Sequence, residues 1–324
     1  MVSTKAEVAE GELERINDEI SGLSLLAGWT DRPGGPSMWS EPRGVFEPGA
    51  WRYAQARELL ERSAPLLTME QTERRNLILV NPSAASNYAT VRTQVLAYQM
   101  ILPGEHARTH RHSPHAGRLV LDVDPGAYTV VNGMKIPMTS GDVVLTPSWH
   151  WHGHGHDGNE AAFWIDFLDV PLVQLLDPMF FEPYPDGFQA PSSTAGDPES
   201  LIFRWVDTVA RLDAAAPDPD GIYGRRIELG SPALPTIGLS MQRLESGFVS
   251  TPFRSTASHQ YCVVEGSGVT VVDGREVEWA RGDVIAVPSW TTHSHRAHSE
   301  ATLFAINDEP LQRYCGYMRS EIVR

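Results

Sequence analysis

The stretch YTVVNGMKIPMTSGDVVLTPSWHWHGH, Tyr128 to His154, returns later in the chain as VTVVDGREVEWARGDVIAVPSWTTHSH, Val269 to His295, with no insertion or deletion between the copies. Each keeps a hairpin turn, a Gly-Asp turn, a Pro-Ser-Trp and two histidines. Asn132-Gly133 between alternating apolar runs predicts a tight two-residue hairpin, because both residues accept positive φ. A short-strand unit with closely spaced turns, used twice, favours two small β-barrels or sandwiches over a βαβ array.

Outward from the first copy, residues 77–80, 93–101, 118–123 and 127–131 are rich in Val, Leu, Ile and Tyr and bounded by turn residues, so they predict strands. Residues 1–75 read as helical and irregular, broken between Pro33 and Pro36, with a helix at 54–62. Residues 184–235 are rich in Pro, Asp, Ser and Ala and read as a linker with one helix at 199–212. The expected organisation is an N-terminal segment (1–75), a first barrel (76–183), the linker (184–235) and a second barrel (236–324).

Bulk composition narrows the function. With 324 residues, 41% of them hydrophobic and 21% charged, the chain has room for two cores. A formal net charge of -15 argues against nucleic acid or an anionic membrane as partner, and still permits a local basic pocket for a small acid. Cys262 and Cys315 are too few for a disulfide framework or a thiolate zinc site and read as buried or half-buried thiols. The acidic start lacks a secretion signal, so the cytoplasm is expected. No run approaches the roughly 20 apolar residues that cross a bilayer.

Eight of the 12 histidines fall between His106 and His156. On a strand, His110 and His112 project to one face and Arg111 to the other, and two imidazoles on one face can share an ion. A third ligand must come from another strand. His150, His152, His154 and His156 are all in phase, and spacing alone cannot choose among them. The repeat favours His152 and His154, whose counterparts are His293 and His295, while His150 faces Thr291 and His156 faces Ala297. Imidazoles without a nearby thiol suit iron, zinc, copper or nickel.

Pro103-Gly104, His110-x-His112, the Gly126 turn, Gly141-Asp142, Pro147 and His152, in this order, resemble the two motifs of the cupin superfamily. The glutamate usual after His-x-His is missing, since Ala116 and Gly117 offer no carboxylate. That departure, with ERRNLILVNP from Glu73, LPGEHARTHRH from Leu102, TPSWHWHGHG from Thr146 and WIDFLDVPLV from Trp164, resembles the bicupin dioxygenases that cleave gentisate, salicylate and 1-hydroxy-2-naphthoate. The resemblance runs from about Trp39 to Arg319.

It implies a mainly all-β bicupin, two tandem double-stranded β-helix (jelly-roll) barrels after an N-terminal helical segment. It also implies one Fe(II) per chain, in the N-terminal cupin, on His110, His112 and His152, and an aromatic 2-hydroxy acid cleaved by O2 between its carboxyl-bearing and hydroxyl-bearing carbons. Arg118 and Arg74 would take the carboxylate, with Arg75 a weaker candidate. His154 would touch the substrate hydroxyl or the oxygen. Gln99 and Asp166 match polar pocket residues, and Val95 and Ala97 share the strand face of Gln99. Family members are usually tetramers.

In the second copy His-x-His falls on Phe253-Arg254-Ser255, leaving His293 without the two partners needed for tight binding and His259 out of register, so that barrel reads as a structural or interface domain. His115 and His150 depart from the family pattern and are candidates to alter substrate choice. Trp149, Trp279 and Trp290 are expected to plug barrel ends. The competing readings are another metal-dependent cupin enzyme and a non-catalytic bicupin that binds a small acid.

Overall fold

The computed structural model describes residues 3–29, 38–83, 88–192, 194–230 and 232–324. The expected break between Pro33 and Pro36 lies outside them. The chain divides into two units, residues 1–43 and 44–324. The first holds helix α1 (Ser3–Gly22) and a turn in which the Arg43 guanidinium lies 5.3 Å from the centre of the Trp39 ring.

The second unit opens with β1 (Gly49–Trp51), helix α2 (Tyr53–Ser63) and the short helix α3 (Met69–Thr72). The first barrel follows as β2 (Arg75–Ile78), β3 (Val95–Ile101), β4 (His106–His112), β5 (Ala116–Asp122), β6 (Ala127–Val131), β7 (Met134–Pro137), β8 (Val143–Thr146), β9 (His152–His156) and β10 (Ala162–Leu168). Helix α4 (Val170–Leu175), β11 (Phe181–Pro183) and β12 (Ile202–Phe203) complete it. Its two sheets have the strand orders β12-β8-β5-β10-β3-β2 and β11-β4-β9-β6-β7.

After helix α5 (Trp205–Ala214) come β13 (Arg225–Glu228), β14 (Gly238–Leu244), β15 (Phe253–Ser255), β16 (His259–Glu265), β17 (Ser267–Val272) and β18 (Arg275–Ala280). They continue as β19 (Val284–Val287), β20 (His293–Ala297), β21 (Ala301–Asn307), helix α6 (Glu309–Tyr314) and β22 (Ser320–Ile322). The second barrel pairs β1-β19-β16-β21-β14-β13 with β18-β17-β20-β15-β22. The molecule is the expected bicupin, and the repeated hairpins turn on Asn132-Gly133 and Asp273-Gly274, all four at positive φ.

Several expected boundaries move, and the strands expected at 93–101 and 118–123 run Val95–Ile101 and Ala116–Asp122. The strand expected at 77–80 is β2, two residues earlier, because beyond it Asn81 turns the chain through hydrogen bonds to Glu47 and Thr90. The helix expected at 199–212 begins only at Trp205. Asp197 and Pro198 start a single 3₁₀ turn, and Ile202–Phe203 then pairs with β8. Within the stretch read as helical, Gly49–Trp51 is a strand that joins the sheet of the second barrel through β19.

Strand alternation divides the labour in the first barrel. On β10, Phe163, Ile165 and Phe167 point away from the cavity, where Phe163 meets Tyr53 and Phe167 meets Phe304 of the second barrel. The alternate residues Asp166 and Leu168 line the cavity. On β3, Val95, Ala97 and Gln99 line it while the Tyr98 hydroxyl donates to the Gly282 carbonyl at 2.8 Å. Both strands are buried on both faces, which is why they read as nearly continuous apolar runs. Each such aromatic ring contributes about 1.5–3 kcal/mol through burial, and Gly117 gives Phe167 room, since a Cβ there would run into the ring.

Helix α2 bolts the barrels together. Tyr53 and Arg57 bond Asp122 of the first barrel, Arg52 and the Tyr53 amide bond Asp283 of the second, and Arg281 reaches back to Asp122 at 2.8 Å. Two aromatic expectations change. Trp149 is 42% exposed, and Arg111 stacks on it and on Trp151, outside the barrel. Trp290 stacks on Arg254 in the same way, and of the three only Trp279 is buried as a core plug. Cys262 is buried and Cys315, contrary to expectation, exposed.

Candidate metal centre

Strands β4 and β9 are antiparallel neighbours with His110 opposite His152, and a bulge between Ala107 and His110 resets the register just before the His110-x-His112 pair. His110, His112 and His152 bring their ring nitrogens within 4.8 Å of one another. Each Nδ1 has an acceptor: Glu73 Oε1 at 2.8 Å for His110, the Pro114 carbonyl at 2.9 Å for His112, and the His150 carbonyl at 2.9 Å for His152. Hydrogen on Nδ1 leaves three Nε2 lone pairs free.

Burial keeps these imidazoles neutral. It pushes His152 well below the usual histidine range and His112 down to about 4, and lowers His110 despite the opposing pull of Glu73. The Nε2 atoms of His110 and His152 are 3.1 Å apart. Two imidazole nitrogens bound to one ion at about 2.1 Å and at right angles would be about 3.0 Å apart. The donor set is three neutral nitrogens with no thiolate, and it fits a borderline transition metal with positions left open.

Beside the triad lies a cavity of about 330 Å³. All the pocket residues expected from the sequence line it: Arg74, Val95, Ala97, Gln99, Arg118, His154 and Asp166. Arg118 is buried, with Nη1 2.6 Å from His154 Nδ1 and Nη2 3.3 Å from Asp166 Oδ1. Asp166 also accepts from Trp164 Nε1 at 3.1 Å. Burial raises the Asp166 carboxyl, and the Arg118 charge opposes that rise. Arg74 donates to the Glu73 and Arg108 carbonyls at 3.0 and 2.9 Å.

Gln99 Nε2 and Arg118 Nε are buried without a hydrogen-bond partner. Orphaned donors in a polar cavity suit a ligand that brings acceptors. Two guanidiniums and neutral imidazoles therefore make a locally cationic site in a chain of net charge -15.

Three sequence candidates lie elsewhere. Arg75, the first residue of β2, is buried and clamps Glu105 through two bonds of 2.8 and 2.9 Å. His115 accepts the Ser148 amide, and His150 bonds the Ser148 carbonyl; neither lines the cavity. Conversely, Asn76, Ile78, Gln174, Met179 and Phe181 line it and went unread. Alternation along the correctly placed β2 would have found Asn76 and Ile78; nothing local marks the others.

In the second barrel Phe253 stands opposite His293 as His110 stands opposite His152. The His293 Nε2 is 2.7 Å from the Tyr261 hydroxyl, and the Phe253 ring packs on the imidazole at 4.3 Å. Hydrogen bonding and packing thus engage His293, and Phe253 stands where the first barrel has His110.

Residues 97–169 and 240–307 each match the Cupin domain model. The chain is 34% identical to a 5-aminosalicylate 1,2-dioxygenase of Comamonas sp, over 96% of this chain and 90% of that protein. It is also 34% identical to gentisate 1,2 dioxygenase 1 of Aquipseudomonas alcaligenes, over 86% of this chain and 88% of that protein. Among solved structures, it is similar to salicylate 1,2-dioxygenase from Pseudoaminobacter salicylatoxidans in its adduct with gentisate. The TM-score is 0.85 at 29% identity, covering 96% of this chain and 94% of that one.

Proposed function

From the premise that this chain belongs to the gentisate and salicylate 1,2-dioxygenase family of ring-cleaving bicupins, we propose that its substrate is a 2-hydroxybenzoate-type aromatic acid and its metal Fe(II). The acid is gentisate, salicylate or a 5-substituted salicylate, with 1-hydroxy-2-naphthoate as the larger alternative. One ferrous ion per chain would be held by His110, His112 and His152 in the N-terminal cupin. When bound, it supplies adjacent open positions for the acid and O2 and a route for electrons between them.

The side chains around the triad fit the remaining tasks. Arg118 and Arg74 are placed to pair with the carboxylate, and a guanidinium does so through two hydrogen bonds. The Arg118 guanidinium lies against the His154 ring, with Nη1 2.6 Å from Nδ1 and 3.0 Å from Nε2, and this imidazole is the group that meets an oxygen of substrate or O2. Gln99 offers its free amide hydrogens. Asp166 holds Arg118 in orientation, and Val95 and Ala97 cover the ring. Both oxygen atoms enter the product, a ring-opened oxo-dicarboxylate, and the ring itself supplies the electrons.

In this reading residues 76–183 carry the working cupin and 236–324 the structural cupin, with 1–75 preceding them, while the expected linker 184–235 also lends β12 to the first barrel and β13 to the second. The subunits form a homotetramer in the cytoplasm, and exposed Leu175, Leu176 and Phe180 provide apolar surface for assembly. No helix of the described residues is long and apolar enough to cross a membrane.

The observation that carries the proposal is the convergence of three neutral imidazoles beside two arginines in one cavity. The test is anaerobic reconstitution with Fe(II), followed by oxygen uptake and ring-opened absorbance with gentisate, salicylate, 5-amino-, 5-nitro- and 5-halosalicylates and 1-hydroxy-2-naphthoate. One O2 consumed per ring opened is expected for at least one acid. Iron-independent turnover, or none with any acid, would overturn it.

A further inference from the structure

Of the three ligand imidazoles, two give their Nδ1 hydrogen to backbone carbonyls, which no side-chain substitution removes. The third gives it to a carboxylate: His110 Nδ1 is 2.8 Å from Glu73 Oε1. Glu73 is not on the barrel strand with the ligand. It comes 37 residues earlier, directly after α3, and the helix delivers it.

That delivery is firm and strained. The Thr68–Gln71 capping box closes the start of α3, and the Glu73 amide bonds the Met69 carbonyl at 3.0 Å to close its end. Glu73 then adopts φ 56 and ψ -44, a conformation that a β-carbon disfavours and a glycine would occupy freely. Most other non-glycine residues at positive φ have an evident local reason. Asn132 and Asp273 make the hairpin turns, and Trp149 and Trp290 follow Pro-Ser in the two repeats. At Glu73 a side chain is kept where the backbone would favour none, and that side chain ends on a metal-ligand imidazole.

We infer that Glu73 is a positioning residue of the metal centre: its carboxylate fixes the ring plane and tautomer of His110 and increases the electron donation of Nε2 to the ion. The carboxylate takes over the orienting role that carbonyls play for His112 and His152, and alone among the three adds a negative charge. Carboxylate–imidazole–metal chains work in this way in general, and loss of the outer partner commonly costs 10–100-fold in affinity.

The inference rests on the triad being a metal site, and the experiment separates the two. Holoenzyme loaded with Fe(II) or Co(II) is mixed with excess chelator, and the rate of ion loss is followed with the Co(II) ligand-field spectrum, in the parent, Glu73→Gln, Glu73→Ala and the control His112→Ala. Glu73→Ala should lose the ion about 10–100-fold faster than the parent, with an altered Co(II) spectrum. Glu73→Gln, which keeps an acceptor and loses the charge, should fall between. If the alanine variant does not fold, Glu73→Gln decides alone. Loss within twofold of the parent and an unchanged spectrum in a folded variant, while His112→Ala has lost the ion, would overturn the assignment of Glu73. Retention by His112→Ala would instead overturn the metal reading of the triad.

Discussion

The Arg118 guanidinium meets His154 Nδ1 at 2.6 Å on one side and the Asp166 carboxylate at 3.3 Å on the other. One side chain thus packs against the imidazole, holds charge in the cavity and is itself held by a carboxylate. Arg118→Lys keeps the charge and loses the planar fork, so kcat/KM should fall about 100-fold, the equivalent of one to two charged hydrogen bonds. Steady-state kinetics with the best acid checks this, and a variant near the parent would detach Arg118 from substrate binding.

His112→Ala and His293→Ala should behave differently despite the repeat. The first removes one of three converging ligands, and bound iron measured by elemental analysis should drop to background with turnover. The second breaks the His293–Tyr261 bond inside a barrel with no such triad among its described residues. It should keep iron and activity while losing about 1–3 kcal/mol of stability for the buried hydroxyl left unpaired. Equal iron loss in the two variants would contradict the division of roles between the barrels.

Ala97 is buried on β3 and lies on the cavity wall, paired with Ile78 and Asp166. Ala97→Phe should project a ring into the space proposed for the substrate ring. We expect KM for salicylates to rise at least about tenfold, because overpacking a confined site costs about 1–3 kcal/mol. Metal content should be unchanged, and parallel loss of iron would indicate a collapsed barrel instead.

Asp122 ties α2 to both barrels. Burial acts to raise its carboxyl, but hydrogen bonds from Tyr53 and Arg281, with the charges of Arg281 and Arg57, prevail and lower it. A depressed folded-state pKa stabilises above the ordinary carboxylate range, and that stabilisation is lost as pH falls through the folded value. Asp122→Asn should therefore destabilise by about 1–3 kcal/mol at neutral pH and flatten the acid limb of the thermal-stability profile. Scanning melts between neutral pH and pH 3 will read both effects.

What the sequence disclosed was short-range. His110 and His112 two apart, the Asn132-Gly133 turn and the repeat are spacings within one strand or hairpin, and each determines a face or a turn by itself. Arg74 and Arg75 were ranked only through the family resemblance, because no local pattern shows that the first lines the cavity and the second clamps Glu105. Glu73 reaches His110 through a separate helix, and no periodicity announces it. Trp149 misled because a large aromatic at a repeated position was read as a plug, whereas Arg111 stacks on it outside the barrel in a cation–π contact. Phe181 and Met179 enter the cavity on the chain that follows α4, where the sequence signals only an apolar run.

Strand β1 has a consequence for biosynthesis. Gly49–Trp51 leaves the ribosome before either barrel, yet its hydrogen-bonding partner β19 is made more than two hundred residues later. Throughout that interval the segment has no mate, and the edge it will cover does not yet exist. The nascent N-terminal half therefore cannot reach its finished state on its own, and translation must deliver the last barrel before the first strand can be laid down.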